Sequence, residues 1–135
     1  MKKIALYLRV SRADRQIIGK ESNSVLNQRK LLHNYLNRRR EFSLCERVEY
    51  CDDGYTGTNL NRPHLQEMLQ SIIAGEIQIL MIKDLSRLGR NHLQVGRWLQ
   101  ELDAIGVRVI AVGDAYDSGK DSCTNSLKQN GLQEL

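Results

Sequence analysis

Short apolar runs alternate with segments of helical periodicity along most of this chain, and that alternation constrains its fold more than any other feature. Residues 4–10, read as Ile-Ala-Leu-Tyr-Leu-Arg-Val, form a nearly continuous apolar run. Such a run is typical of a strand that is covered on both faces. Residues 44–51, 77–82 and 107–112 predict three further strands. Helical segments separate them, so the predicted order is βαβαβαβ.

Each of the three predicted helices has its own boundary signals. The first helix starts at residues 24–28 and ends in the basic run 38–40. The second has Pro63 in its first turn and ends at Gly75. The third ends at Gly106. The apolar residues expected on the buried sides of these helices are, in order, Leu31, Leu32, Tyr35 and Leu36; Leu65, Met68, Leu69, Ile72 and Ile73; and Leu93, Trp98, Leu99 and Leu102.

This order of elements predicts the fold class and the edge at which a ligand binds. We expect an α/β domain of three layers, with a mainly parallel sheet of four or slightly more strands and helices on both faces, joined by right-handed crossovers. Ligands of such sheets bind beyond the carboxyl ends of the strands. Three polar segments, at Ser11, 52–59 and 86–90, follow predicted strands and are therefore expected to meet at one edge.

Composition limits the broad class of the protein. The chain has 135 residues, with 20 Lys+Arg, 16 Asp+Glu and a net charge of +4, which permits nucleic acid as a partner without requiring it. Its 3 cysteines lack metal-ligand spacing and follow no secretory leader. No apolar stretch approaches the ~20 residues of a membrane span. We expect one cytoplasmic domain over residues 1–117 and a polar tail over 118–135.

Ser11, directly after the first strand, is the candidate nucleophile. Arg9 shares its side of the pleat, and an arginine within otherwise apolar sequence must find an anion or reach solvent. A guanidinium matches phosphate oxygens in shape and offsets the charge of phosphoryl transfer, so a phosphodiester is the expected substrate. The alternatives are that Ser11 is a turn residue or helix cap, and that Arg9 forms an ion pair with Asp52 or Asp53.

Four further residues complete the candidate site. Arg87 and Arg90 lie three apart, on one side of a turn if the segment coils. Arg62 precedes the second helix and is expected to place its charge beside helix-terminal N–H groups that attract phosphate. Gln28 faces inward from the first helix, where its amide holds either a phosphate oxygen or the serine hydroxyl. The alternatives are surface charges for the arginines and a structural helix glutamine for Gln28.

No cofactor or metal is expected. Asp52 and Asp53 are a carboxylate pair of the kind that holds magnesium, but no third carboxylate is placed beside them. The three histidines show no paired ligand spacing. The phosphate-binding patterns GxxxxGK[ST] and GxGxxG are absent after the first strand, so the sequence does not support a nucleotide site.

The motifs together resemble the catalytic domain of the serine recombinases, the resolvase/invertase group, and especially its large integrase/transposase branch. The resemblance covers about residues 3–117 and rests on four ordered segments. They are Tyr7-Leu8-Arg9-Val10-Ser11, Asn27-Gln28-Arg29, Asp52-Asp53-Gly54-Tyr55-Thr56-Gly57-Thr58 with Arg62-Pro63, and Asp84-Leu85-Ser86-Arg87-Leu88-Gly89-Arg90.

The resemblance implies a mechanism and partners. Ser11 would attack a DNA phosphodiester to give a 5′-phosphoseryl link and a free 3′-hydroxyl, with Arg9, Arg87 and Arg90 on the phosphate and with Arg62 and Gln28 in support. Double-stranded DNA at specific sites is the implied partner, and the full-length protein would self-associate as a dimer and tetramer. No metal or nucleotide is implied.

Two features depart from the family pattern. Many small resolvases have an aspartate where this chain has Ser86, so the general acid is open, and Asp84 is a substitute two residues earlier. Residues 121–135 do not resemble the long helix that leads to the family's DNA-binding domain, so we expect that domain to be absent and the isolated chain to be inactive.

Two other functions remain open on the sequence alone. A receiver-like signalling domain would bind magnesium at Asp52 and Asp53 and would not use Ser11. A non-catalytic interaction module would pair with a full-length recombinase whether or not Ser11 is present.

Overall fold

A computed structural model describes residues 2–10, 22–53, 62–89 and 91–119 of the chain. Within these segments the strands are β1 (Lys3–Val10), β2 (Glu46–Asp53), β3 (Ile79–Ile82), β4 (Arg108–Ala111) and β5 (Tyr116–Asp117). The α-helices with assigned bounds are α1 (Ser22–Asn37), α2 (Pro63–Ile73) and α3 (His92–Ala104). Short 3₁₀ turns lie at Arg40–Phe42, Leu85–Arg87 and Val112–Asp114.

The strands form one sheet in the order β2-β1-β3-β4-β5. The first four are parallel, and β5 runs antiparallel to β4. Strand β1 is flanked on both sides, with Arg9 opposite Asp52 of β2 and Tyr7 opposite Ile82 of β3. The predicted fold class is confirmed. The sheet gains β5, which at two residues is too short to show a periodicity in sequence.

The core lies in two layers, one on each face of the sheet, because successive side chains of a strand point to opposite faces. On one face Ala5 and Tyr7 pack with α2 and α3, chiefly with Leu65, Met68, Ile72, Val95 and Leu102. On the other face Ile4, Leu6 and Leu8 pack with α1 and the Arg40–Phe42 turn, through Val25, Leu32, Leu36 and Phe42. Helices therefore cover both faces, as predicted.

Two residues that were predicted to be buried are exposed. Ile73 is 77% exposed because it lies one position past Ile72, outside the stripe that buries Leu65, Met68 and Ile72. Leu93 is 83% exposed in the first turn of α3, whose buried side instead includes Val95. The predicted burial of these two residues is wrong because a helix buries one stripe rather than every apolar residue on it.

Several predicted boundaries shift by a few residues. Helix α1 ends at Asn37 rather than in the basic run 38–40, and β2 spans Glu46–Asp53 rather than 44–51. The two glycine stops are confirmed. Gly75 and Gly106 follow α2 and α3 with φ of 84° and 82°, a region that favours glycine because it has no Cβ.

The end of the described chain is tied to the sheet. Ser118 Oγ accepts a hydrogen bond of 2.8 Å from the Val109 N–H, and Arg108 donates to both oxygens of Asp117 at 2.9 and 2.7 Å. The predicted polar tail lies outside the described residues from position 120 onward. Within the described segments, no helix combines the length and the apolar character that a membrane crossing requires.

Candidate active site

Gln28 holds the end of β1, directly before Ser11. Its side chain is 1% exposed, its Nε2 donates to the Arg9 carbonyl at 2.9 Å and its Oε1 accepts from the Arg9 N–H at 3.3 Å. Strand β3 pairs with β1 only as far as Tyr7. The Gln28 amide therefore binds main-chain groups of β1 that extend beyond the end of β3. Gln28 thus positions the strand end, while its predicted contact with a phosphate oxygen or the serine hydroxyl stays a prediction.

The turn after β3 holds two arginines through its carbonyl groups. Arg9 donates from Nε to the Arg87 carbonyl at 3.2 Å and from Nη2 to the Ser86 carbonyl at 3.0 Å. Arg62 donates from Nη1 to the same Arg87 carbonyl at 2.9 Å and from Nη2 to the Leu88 carbonyl at 2.7 Å. Residues from β1 and from the start of α2 therefore meet over one turn.

Arg87, on that turn, points back to the end of β1. Its Nη1 donates to the Arg9 carbonyl at 3.1 Å, and its side chain is only 15% exposed. Its Nε is buried and meets no hydrogen-bond acceptor among the described residues, although Asp84 Oδ1 lies 3.6 Å away. The charge of Arg87 is thus held beside Arg9, the residue that precedes Val10 and Ser11 in the chain.

These contacts explain how three like charges share one place. The guanidinium groups of Arg9, Arg62 and Arg87 repel one another, and the carbonyl dipoles of the turn and of Arg9 offset that repulsion. Each of the two Arg62 nitrogens that donate to the turn, Nη1 and Nη2, carries a second N–H in addition to the one in that hydrogen bond. The arrangement is a preformed positive site that suits an anion with several oxygens, such as a phosphate.

Asp52, at the end of β2, binds the start of α2. Its carboxylate accepts from the N–H groups of His64 and Leu65, both at 3.0 Å, from the Tyr7 hydroxyl at 2.7 Å, and contacts His64 Nδ1 at 3.1 Å. The side chain of Asp52 is 5% exposed. Arg62, the residue directly before α2, makes no side-chain cap bond. The Asp52 carboxylate therefore serves as the cap at the start of this helix.

The Asp52 contacts correct one expectation for Arg62. The N–H groups at the start of α2 were expected to attract phosphate beside Arg62, but those of His64 and Leu65 are bound by a buried carboxylate. A second negative charge at that helix end would be repelled by Asp52. Arg62 is confirmed at the start of α2, but it contributes through its guanidinium on the 85–88 turn.

Tyr7 is part of the same network and keeps its proton. The phenol is fully buried, and burial, followed by its hydrogen bond to Asp52, raises the pKa of Tyr7 far above its ordinary value. A phenol in this state donates to Asp52 and does not act as a nucleophile or base. Tyr7 therefore supports the site as a structural donor.

We predict that Asp52→Ala lowers the free energy of unfolding by about 3 kcal/mol or more, since it leaves the buried Tyr7 hydroxyl and two helix N–H groups without their acceptor. Urea denaturation of the purified chain measures this change. Glu67→Ala is the matched control, because it removes an exposed carboxylate from the same helix and is expected to change stability by less than about 0.5 kcal/mol. A loss below about 1 kcal/mol for Asp52→Ala would contradict the role given to this carboxylate.

Asp84 and Ser86 lie on the edge of the arginine cluster. The Ser86 hydroxyl donates to Asp84 Oδ1, and the Leu85 N–H donates to Asp114 Oδ2 at 2.8 Å. Sequence reasoning singled out Asp84 as a substitute for an aspartate at position 86, and the structure places its carboxylate against the hydroxyl at that position. The Tyr7–Asp52 network was missed, although both residues stand inside the quoted motifs.

Four of the six predicted site residues come together. Arg9, Gln28, Arg62 and Arg87 meet at the carboxyl ends of β1 and β3, whereas Ser11 and Arg90 lie outside the described residues. In the described segments, no three His, Cys, Asp or Glu side chains group in a way that could hold a metal ion. The roles of the six residues stay predictions.

The comparison with family models decides the identity of this fold. Residues 4–129 match the model described as the N-terminal domain of resolvase. The chain belongs to the resolvase family. Its fold is that of the catalytic domain of the serine recombinases, which the sequence motifs had indicated, and the resemblance is confirmed. No curated protein matches this resolvase domain significantly.

Solved structures similar to this resolvase domain are recombinases. A resolvase family site-specific recombinase from Streptococcus pneumoniae is 30% identical, with a TM-score of 0.71 over 94% of this chain and 83% of that one. The N-terminal catalytic domain of TP901-1 integrase is 22% identical, with a TM-score of 0.66 over 87% and 82%. The C-terminal catalytic domain of ISC1926 TnpA, an IS607-like serine recombinase, is 22% identical, with a TM-score of 0.61 over 82% and 70%. The last two show a shared fold.

Proposed function

We propose that this resolvase domain cleaves and rejoins duplex DNA at specific sites through a covalent 5′-phosphoserine formed by Ser11. The observation that carries the proposal is the convergence of Arg9, Arg62 and Arg87 on the 85–88 turn, beside the strand end that Ser11 follows in sequence. A hydroxyl nucleophile together with guanidinium groups suits phosphoryl transfer, because the hydroxyl attacks phosphorus and the guanidinium charges stabilise the negative charge that builds up.

The chemistry follows from these groups. The Ser11 oxygen bonds to phosphorus while the bond from phosphorus to the 3′ oxygen breaks, and the extra negative charge on the phosphate oxygens is met by the arginines. The covalent link preserves the energy of the phosphodiester, so attack by a 3′-hydroxyl rejoins the strand without ATP. Gln28 contributes by holding the end of β1 in place.

The partners follow from the reaction. Two duplexes with two cuts each require four copies of the nucleophile, so the assembled state is a tetramer built from dimers on double-stranded DNA. The domain carries a mild positive charge of +4, which favours DNA without selecting a sequence. Site choice then requires contacts to the base edges, which net charge does not supply. The place of action that we expect is the cytoplasm.

A trapping experiment tests the proposal. The complete 135-residue chain is fused to the DNA-binding part of a serine recombinase of known target and incubated with that target, nicked so that rejoining fails, in EDTA. We expect a covalent adduct on a denaturing gel, and peptide mass spectrometry is expected to place the 5′-phosphate on Ser11. A folded fusion that binds its target and forms no adduct, or an adduct on another residue, would show that the proposal is wrong.

A further inference from the structure

Strand β2 is the long edge of the sheet. In the part of the chain that the structure describes, β2 pairs with β1 alone, along all 8 of its residues and in an unbroken register. It contains no proline, glycine or bulge, the features that commonly protect an edge strand. The opposite edge, β5, has only 2 residues. A regular edge as long as β2 is a template for pairing with another chain.

The main-chain groups of β2 point alternately to β1 and to the outer edge. The Glu46 N–H donates to the Lys2 carbonyl at 2.9 Å, so the main-chain groups of Glu46 point to β1. Successive residues of a strand direct their N–H and C=O groups to opposite sides, so those of Arg47 and Glu49 point outward. In an antiparallel pairing, residues that face one another and both point to the partner exchange two hydrogen bonds. Arg47 and Glu49 are therefore the positions through which a further strand would bind.

The charges along this edge are complementary to those of a second copy of the same edge. A twofold axis at Val48 places Arg47 opposite Glu49 of the partner subunit and, by symmetry, Glu49 opposite Arg47 of the partner subunit. Opposite charges that face one another across two strands stabilise the pair, and like charges destabilise it. An axis at Arg47 or at Glu49 would place like charges opposite one another. The pattern therefore favours the register centred on Val48.

Both charged side chains have hydrogen-bonding capacity left for this contact. Arg47 Nη1 contacts His33 Nδ1 at 2.8 Å and Arg47 Nη2 donates to Asn37 Oδ1 at 2.8 Å, so among the described residues Arg47 forms no ion pair with a carboxylate. Glu49 accepts from Arg29 Nε at 3.1 and 3.0 Å and contacts His33 Nε2 at 3.2 Å, and its side chain stays 33% exposed. A carboxylate accepts about four hydrogen bonds, so Glu49 can bind a second guanidinium.

We infer that two copies of this chain pair through β2, antiparallel and about a twofold axis at Val48, so that one sheet continues through both subunits. The contact closes on itself, because each copy uses its long edge and the remaining edge of each sheet is the short β5. The pairing makes no use of the arginine cluster, so it is independent of the proposed DNA chemistry.

Sedimentation velocity of the complete 135-residue chain over a range of concentrations, without DNA, tests this interface. The wild type is expected to dimerise, and Arg47→Glu and Glu49→Arg are each expected to raise the dissociation constant by at least about 10-fold, because each puts like charges opposite one another at both symmetric positions. An equimolar mixture of the two variants is expected to dimerise like wild type, since every facing pair in the mixed dimer is again of opposite charge. Glu101→Arg is the matched control, because it reverses an exposed charge on α3, and it is expected to stay within about 2-fold of wild type.

An engineered disulfide tests the register. In a background without the three native cysteines, Val48→Cys places two thiols at the axis, where facing Cα atoms lie about 4.5 Å apart and allow a disulfide. Oxidation is expected to join the two chains. Glu46→Cys is the matched control on the same face of the strand. It would face Tyr50 of the partner subunit, so the two introduced thiols would lie roughly 14 Å apart, too far for a disulfide.

The results distinguish this interface from other contacts. A wild-type chain that stays monomeric at its highest soluble concentration would overturn the pairing. So would folded single variants that dimerise like wild type, or a mixture of the folded variants that stays monomeric. Oxidation that joins Glu46→Cys as fast as Val48→Cys would overturn the register, and if a charge variant fails to fold, the disulfide decides alone. None of these results depends on a Ser11 adduct, so the proposed function can stand if the pairing fails.

Discussion

Ser11→Ala is expected to abolish the covalent protein–DNA adduct proposed for this resolvase domain, with a loss of at least about 10⁴-fold in the rate of adduct formation. The reason is chemical, since alanine has no oxygen to bond to phosphorus and none of the arginines can replace it, because a guanidinium keeps its proton and is no nucleophile. Affinity for the target DNA is expected to change little, because the substitution leaves the arginines of the candidate site untouched.

The measurement is the fraction of target DNA in the adduct over time, on denaturing gels, with the complete chain in its fused form. Ser43→Ala is the matched control, because Ser43 is exposed and precedes β2, at the opposite end of the strands from the arginines. It is expected to react like wild type. An adduct that forms with Ser11→Ala at a comparable rate would remove Ser11 from the mechanism.

Arg87→Lys is expected to slow adduct formation by about 10²–10³-fold, although the formal charge is kept. Arg87 donates from Nη1 to the Arg9 carbonyl and has a buried Nε near Asp84, so its guanidinium spans from the strand end to the turn. A lysine ammonium is a compact charge that cannot contact the Arg9 carbonyl and a phosphate oxygen in the same geometry.

Single-turnover kinetics on the same nicked DNA measure this effect, and a separate titration measures affinity. Arg97→Lys is the matched control, since Arg97 is exposed on α3, and it is expected to leave the rate within about 2-fold of wild type. Equal rates for Arg87→Lys and wild type would contradict the role of the guanidinium. A loss seen only in affinity would assign Arg87 to DNA binding instead.

The two predictions differ in what they test. The first concerns a residue outside the described segments and depends on the sequence motif and the family. The second concerns a guanidinium whose contacts the structure shows, so it tests the geometry of the arginine cluster. If only the first holds, the nucleophile is right and the role given to the Arg87 guanidinium is wrong.

The sequence of this protein by itself determined its strand order in the chain, its fold class and the edge that carries the site. A nearly continuous apolar run such as residues 4–10 predicts a strand that is buried on both faces. Glycines such as Gly75 and Gly106 end helices because they adopt positive φ easily. These are local effects, so a local pattern is enough to predict them. The motif residues at strand ends then pointed to serine recombinase chemistry.

Only the tertiary structure decided which groups bind one another at that edge. Arg9 meets the turn carbonyls from 77 and 78 residues away, and Asp52 caps a helix that begins 11 positions later. No local pattern encodes these pairs, because a guanidinium or a carboxylate accepts any partner of the right polarity that the fold brings within reach. The same reason left Ile73 and Leu93 exposed, since burial depends on which stripe of a helix the sheet covers.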